Sequence, residues 1–133
     1  MHHEAKKKIL IVDDEMDMRI FLTTLFETSG YEAVVTKNGR DGYRIAKEIE
    51  PDLIVLDIMM PGEGGVHMYR HLKTDKTLKE IPIIMLSAVE EKTFLHYIKM
   101  LRIRLNDTIP QPDAYVEKPP EPEELLKIAE SLL

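Results

Sequence analysis

The sequence predicts a doubly wound α/β domain, a five-stranded parallel sheet with helices on both faces. Two observations carry this. Short β-branched runs alternate with stretches of helical periodicity along the whole chain, the signature of successive βα units. The strongest runs, "KILIV" (8–12), "LIVL" (53–56) and "PIIML" (82–86), are apolar without alternation, as expected of strands covered on both faces. An antiparallel α+β fold is the alternative, and the regular alternation speaks against it.

Taken in order, "KILIV" is the first strand. "MDMRIFLTTLFETSG" follows with apolar Ile20, Leu22, Leu25 and Phe26 at helical spacing and Gly30 as its stop. "YEAVV" (31–35) is a weaker strand. "GRDGYRIAKEIE" spaces Tyr43, Ile45, Ala46 and Ile49 as a helix and ends at Pro51, which cannot continue one. "LIVL" leads to the short helix "GVHMYRHLK", and "PIIML" to the longer "EEKTFLHYIKMLRIRL". The short strand "AYVE" (114–117) precedes "PEELLKIAESLL", where Pro122 suits a first helical position and Glu123 and Glu124 meet the positive end of the dipole.

With 133 residues, one domain spanning 1–133 is expected, its core about 7–133. Apolar residues make up 44% and charged residues 32%, a globular balance. A net charge of -6 argues against direct nucleic-acid binding, which needs a basic stripe. Cysteine is absent, which excludes disulfides and thiolate metal sites and suits a cytoplasmic location. No stretch is long and apolar enough for a signal peptide or a membrane span. His2 and His3 are assigned no function.

The chemistry gathers at strand ends. "ILIVDDE" ends in Asp13 and Asp14, and "DLIVLDIMMPGEGG" carries Asp57 at the end of its strand. In such sheets ligands bind beyond the carboxyl ends of the strands, where strand order reverses. If the first and third strands are neighbours, as in the flavodoxin-like order 2-1-3-4-5, the three carboxylates converge. Close carboxylates repel and destabilise a fold unless a cation compensates, and hard oxygen ligands suit Mg²⁺. Ser87 adds a hydroxyl after "PIIML", and Lys118 adds an ammonium after "AYVE", a point charge fit for a phosphate oxygen. Together they describe a phosphoryl-transfer site with an Asp able to act as nucleophile. The bland readings are a solvated strand-end acid for Asp57, helix capping for Asp13 or Asp14, a turn hydroxyl for Ser87 and a surface lysine for Lys118.

With these residues in hand, the chain resembles the receiver domains of two-component response regulators, through "ILIVDDE", "DLIVLDIMMPG", "IIMLSA" and "YVEKP" in that order. Any one is a weak signal and the ordered set is strong. The resemblance implies that Asp57 is the phosphoacceptor, that Asp13 and Asp14 bind or support Mg²⁺, and that Met59 offers a main-chain carbonyl to it. It implies that Ser87 and Lys118 contact the phosphoryl oxygens and that Tyr115 is a rotating switch, against the plainer reading of a half-buried edge-strand tyrosine. Expected partners are a histidine kinase or phosphotransfer protein and a downstream target or fused output domain. The domain would catalyse its own phosphorylation and dephosphorylation without being an enzyme for another substrate. The chain ends at "AESLL" with no output domain, so a stand-alone receiver and a domain cut from a longer protein both remain open.

Departures exist. "MPGEGG" has Gly64 where the family has Asp or Asn, Gly64 and Gly65 add backbone freedom, and Pro120 replaces a frequent aromatic. The segment 88–113 is longer than usual. Its helix has one stripe of Phe94, Ile98, Leu101 and Leu105, with Leu95, Tyr97, Met100 and Ile103 largely off it. Hence a homodimer or partner contact through the 89–133 face is expected. His67 and His71 lie four residues apart on one helix face, but with no third ligand evident a solvated face is the expectation. Three other functions are weighed: a phosphorylation-independent adaptor, an aspartyl phosphatase, which would want a second acid at Met59, and a flavin binder, which would want a Ser/Thr/Gly-rich loop where the acids stand.

Overall fold

The computed structural model describes residues 5–58, 65–105 and 109–133, the last two residues of the fourth helix by backbone only. The elements run β1 (Lys8–Val12), α1 (Met16–Thr28), β2 (Glu32–Thr36), α2 (Gly39–Ile49), β3 (Leu53–Asp57), α3 (Gly65–Thr74), β4 (Ile83–Ser87), α4 (Glu91–Leu105), β5 (Ala114–Glu117) and α5 (Pro122–Leu132). The strands form one sheet in the order β2-β1-β3-β4-β5, and every pairing is parallel. The expected fold class and strand order are both present.

Burial follows from the residue types. All five residues of β3 and of β4 are buried, as are the last four of β1, which is what a run without polar alternation requires. The edge strands β2 and β5 are only partly covered. Two apolar layers flank the sheet. One joins Leu10, Ile54 and Met85 to Met68, Leu72, Phe94 and Ile98, while the other joins Ile9, Ile11 and Val55 to Leu22, Phe26, Leu125 and Ala129.

Helix boundaries obey the local signals. Gly30 follows α1 with φ of 95°, a left-handed conformation that glycine adopts without strain. Asn38 caps α2 by accepting the Asp41 amide at 2.8 Å. Glu121 caps α5, accepting from Glu123 and Glu124, with Pro122 in the first turn. One expectation fails on α1. Ile20 is 58% exposed although it shares the helical spacing of Leu22 and Phe26. The helix buries a narrower stripe than the apolar count implied, centred on the latter two residues. Phe94 and Ile98 of α4 are buried as expected, whereas Tyr97, Met100 and Ile103 stay exposed. Leu105, the last of that stripe, lies outside the residues whose side chains are described.

Asp75 ties α2 to α3. It accepts Tyr43 Oη at 2.7 Å and Lys47 Nζ at 2.9 Å on one oxygen, and the Thr77 amide and hydroxyl at 2.8 Å on the other. Its carboxyl is held well below the usual range, first by the Tyr43 hydroxyl and then by Lys47 and Thr77. A depressed carboxylate stabilises the fold above its unfolded value and loses that contribution as pH falls through the folded one. Asp75→Asn is therefore expected to melt earlier than wild type at neutral pH. The gap should narrow as pH drops below about 4, where the unfolded carboxylate begins to protonate. Thermal melts from pH 7 down to pH 2 check this, and a gap independent of pH would assign the cluster's effect to packing instead.

Candidate functional site

In an all-parallel sheet every carboxyl end lies at the same edge, so the chemistry of one strand end meets that of the next. Val12 is in register with Leu56, and Asp57 with Leu86. Neighbouring strands run about 4.8 Å apart. Asp13, one residue past β1, thus stands beside Asp57, the last residue of β3. Ser87 closes β4 in register with Glu117, and Lys118 follows at once. The Lys118 amide donates to the Ser87 carbonyl at 2.7 Å, joining these two strand ends.

Asp13 is 1% and Asp57 2% exposed. One carboxylate oxygen from each of Asp13, Asp14, Glu15 and Asp57 lies within 4.8 Å of the others, and Asp14 and Glu15 face solvent. Among these acids sits the Lys118 ammonium, 2.6 Å from Glu15 Oε1, 3.0 Å from Asp13 Oδ2 and 3.4 Å from Asp57 Oδ2. Burial pulls its pKa down, but hydrogen bonds to Glu15 and Asp13 and the Asp57 charge outweigh this and hold it above the ordinary lysine value. Three of the four clustered carboxylates therefore share one ammonium.

Asp13 Oδ1 accepts the Glu15 amide at 2.8 Å, and the Asp13 carbonyl accepts Arg19 Nη1 at 2.8 Å. Its other oxygen, Oδ2, is buried and its one close partner among the described residues is the Lys118 ammonium at 3.0 Å. A buried carboxylate oxygen of this kind, in an excess of hard oxygen donors, fits a divalent cation of the Mg²⁺ type. The capping alternative for Asp13 or Asp14 is not met. The N-cap residue of α1 is Glu15, whose side chain caps nothing and instead holds Lys118. Glu15 was not singled out from the sequence, although the third acid of "DDE" was its signal.

Ser87 is fully buried, and its Oγ accepts the Val89 amide at 3.0 Å. Tyr115 stacks on Phe94 with ring centroids 5.1 Å apart and donates its hydroxyl to the Val89 carbonyl at 2.5 Å. Burial pushes the Tyr115 phenol up, with Ser87 pulling the other way. Val89 is thus held by both Ser87 and Tyr115. Met59 and Gly64 lie outside the described residues. Gly65 opens α3 against the phosphoacceptor candidate's own backbone. A Cβ there would sit 2.2 Å from the Asp57 carbonyl oxygen and 2.5 Å from Ile58 Cα. Its role is close approach, not the backbone freedom expected from the sequence.

Comparison with known proteins agrees with this geometry. The profile of the response regulator receiver domain matches residues 9–130. The phosphate regulon transcriptional regulatory protein PhoB of Pseudomonas aeruginosa is 36% identical over 127 residues, covering 96% of this chain and 52% of that protein. The chain thus spans about half the length of that relative. The polar-differentiation response regulator DivK of Brucella anthropi is 40% identical over 87 residues, 65% of this chain and 70% of its own. The chemotaxis response regulator CheY4 of Vibrio cholerae superposes with a TM-score of 0.81 at 25% identity, covering 97% of this chain and all of that one. Sheet order, the acids at its carboxyl edge and these relatives converge: the chain belongs to the response regulator receiver domain family of two-component signal transduction.

Proposed function

We propose that Asp57 accepts a phosphoryl group and that Asp13, Asp14, Ser87 and Lys118 serve this transfer. One observation carries the reading: the Asp57 carboxylate is buried at a strand end, 3.4 Å from an ammonium and grouped with three further acids. In the transfer, a carboxylate oxygen of Asp57 attacks phosphorus in line. The bond from phosphorus to the donor nitrogen breaks, and the leaving imidazole keeps the electron pair and takes a proton from solvent. Such reactions depend on positioning and charge neutralisation rather than on protein-based covalent steps beyond the nucleophile.

Mg²⁺, held by Asp13, Asp14 and Asp57 with the Met59 carbonyl as an added ligand, would supply charge neutralisation at the phosphoryl oxygens when bound. The chain's own residues supply the rest. Lys118, already protonated and anchored to Glu15, turns its ammonium toward the phosphoryl oxygens. The Ser87 hydroxyl, whose oxygen already accepts from Val89, donates its proton to another of those oxygens. Because Ser87 and Tyr115 both grip Val89, drawing Ser87 inward loosens the Tyr115 hydrogen bond and biases the β4–α4 segment. This is a population shift between two arrangements of the output face. Water attack on the acyl phosphate resets the site.

A histidine kinase or phosphotransfer protein is the donor in this reading, with a downstream protein or output domain as receiver of the signal. Tyr97, 49% exposed, Met100, 54%, and Ile103, 72%, give α4 an apolar outer row, which supports partner docking or homodimerisation on the 89–133 face. The region 1–133, with its core about 7–133, acts as one receiver unit. Among the described residues no helix is long and apolar enough to cross a membrane.

Intact mass after incubation with Mg²⁺ and acetyl phosphate tests the assignment. A single phosphate adduct is expected for wild type and none for Asp57→Ala. An adduct that survives in the variant moves the acceptor elsewhere. No adduct in either leaves a receiver fold working as an adaptor without phosphorylation.

A further inference from the structure

We propose that His67 and His71 on α3 form a binding site for a borderline divalent ion, Zn²⁺ or Cu²⁺, separate from the acidic cluster. The two imidazoles lie one helical turn apart on the exposed side of α3, with ring centroids 4.4 Å apart and planes tilted by 47°. Residues four apart on a helix share a face, and imidazole is the ligand that suits Zn²⁺ and Cu²⁺, where carboxylates suit Mg²⁺.

An imidazole nitrogen binds Zn²⁺ at about 2 Å, which places each ring centroid about 3 Å from the ion. Two such centroids stand about 4.5 Å apart at a right angle and about 5 Å apart at a tetrahedral one. The observed separation meets the first arrangement, and a small opening of the side chains reaches the second.

His71 is also oriented by its neighbours. Tyr43 of α2 packs edge-on against it, centroids 5.3 Å apart and planes at 75°. The Tyr43 hydroxyl is itself fixed on Asp75 at 2.7 Å. This packing limits rotation of the His71 ring. Asp75, the residue just after α3, is occupied by Tyr43, Lys47 and Thr77 and does not serve as a third ligand. Water completes the shell, so the site is open to solvent and its affinity is moderate.

Zn²⁺ titration by calorimetry on the full chain tests the site, in excess Mg²⁺ so that the acids are occupied. Wild type is expected to take one Zn²⁺ that depends on this pair. His67→Ala and His71→Ala should each weaken it by about tenfold or more, about 1.4 kcal/mol. His96→Ala, an exposed histidine on α4, should leave it unchanged. Alanine is the strongest helix former, so these surface variants fold, and circular dichroism verifies that. As a second reading, the His67 and His71 ring proton resonances should shift together on adding Zn²⁺, and Zn²⁺ should raise the wild-type melting temperature but not that of His71→Ala. Absence of Zn²⁺ binding overturns the proposal. So does binding that both alanine variants retain, which would place the ion on the acids or on His2 and His3.

Discussion

Gly65→Ala is expected to lower stability by about 3 kcal/mol or more, beyond the usual cost of adding one methyl to a packed interior. The reason is geometric. The added Cβ meets the Asp57 carbonyl oxygen at 2.2 Å and the Ile58 Cα at 2.5 Å, distances that backbone atoms cannot yield by rotating a side chain. Either α3 must move away from β3 or the end of β3 must shift. Both displace Asp57, which has to stay within reach of Lys118. Denaturant unfolding should therefore show a lower midpoint with an unchanged slope. Acetyl phosphate labelling of the fraction that remains folded should also be slower than wild type. Gly42 offers a graded comparison. A Cβ there meets mostly the flexible end of Met68, whose Sδ is 2.9 Å away, so Gly42→Ala should cost less. Equal effects at the two glycines would show that the α3–β3 contact is softer than its geometry implies.

The sheet was legible in the sequence because its central strands carry an unmixed signal. "LIVL" and "PIIML" have no polar alternation, and only a sheet covered on both faces buries such runs. Strand order made the site legible in turn, since it places Asp13 beside Asp57 and Ser87 beside Lys118 without information about side chains. What the sequence concealed depends on three-dimensional approach. Ile20 has the right spacing for the core, but α1 packs on a stripe that omits it. Gly65 reads as loop flexibility until the Asp57 backbone is seen against it. Glu15 is only the third acid of "DDE" in the sequence, yet it stands at the N-cap of α1 with its carboxylate on the Lys118 ammonium. Each depends on a distance between residues far apart in the chain or on which way a side chain turns. Periodicity encodes neither.

Lys118→Ala is expected to cost about 3 kcal/mol in buffer without divalent cations, the lower part of the range for breaking a buried ion pair. The lysine side chain is 11% exposed and its partners Asp13 and Asp57 are 2% exposed, so removing it leaves two buried carboxylates facing each other. Glu15, 60% exposed, turns to water at little cost. The pH dependence has a definite sign. Lys118 is held protonated above the ordinary lysine value, so its contribution is fully present below about pH 10 and fades as pH rises through its folded pKa. Between pH 7 and 9 the stability difference between wild type and variant should thus hardly change. Mg²⁺ should raise the stability of Lys118→Ala more than that of wild type, because the ion replaces a charge that only the variant lacks. Adding Asp57→Asn to Lys118→Ala should recover part of the loss by removing one of the two buried charges, a coupling that a double-mutant cycle measures directly. If Mg²⁺ stabilised both proteins equally and the second substitution recovered nothing, the ammonium would be a packing element. The repulsion among the acids would then be relieved by solvent and not by Lys118.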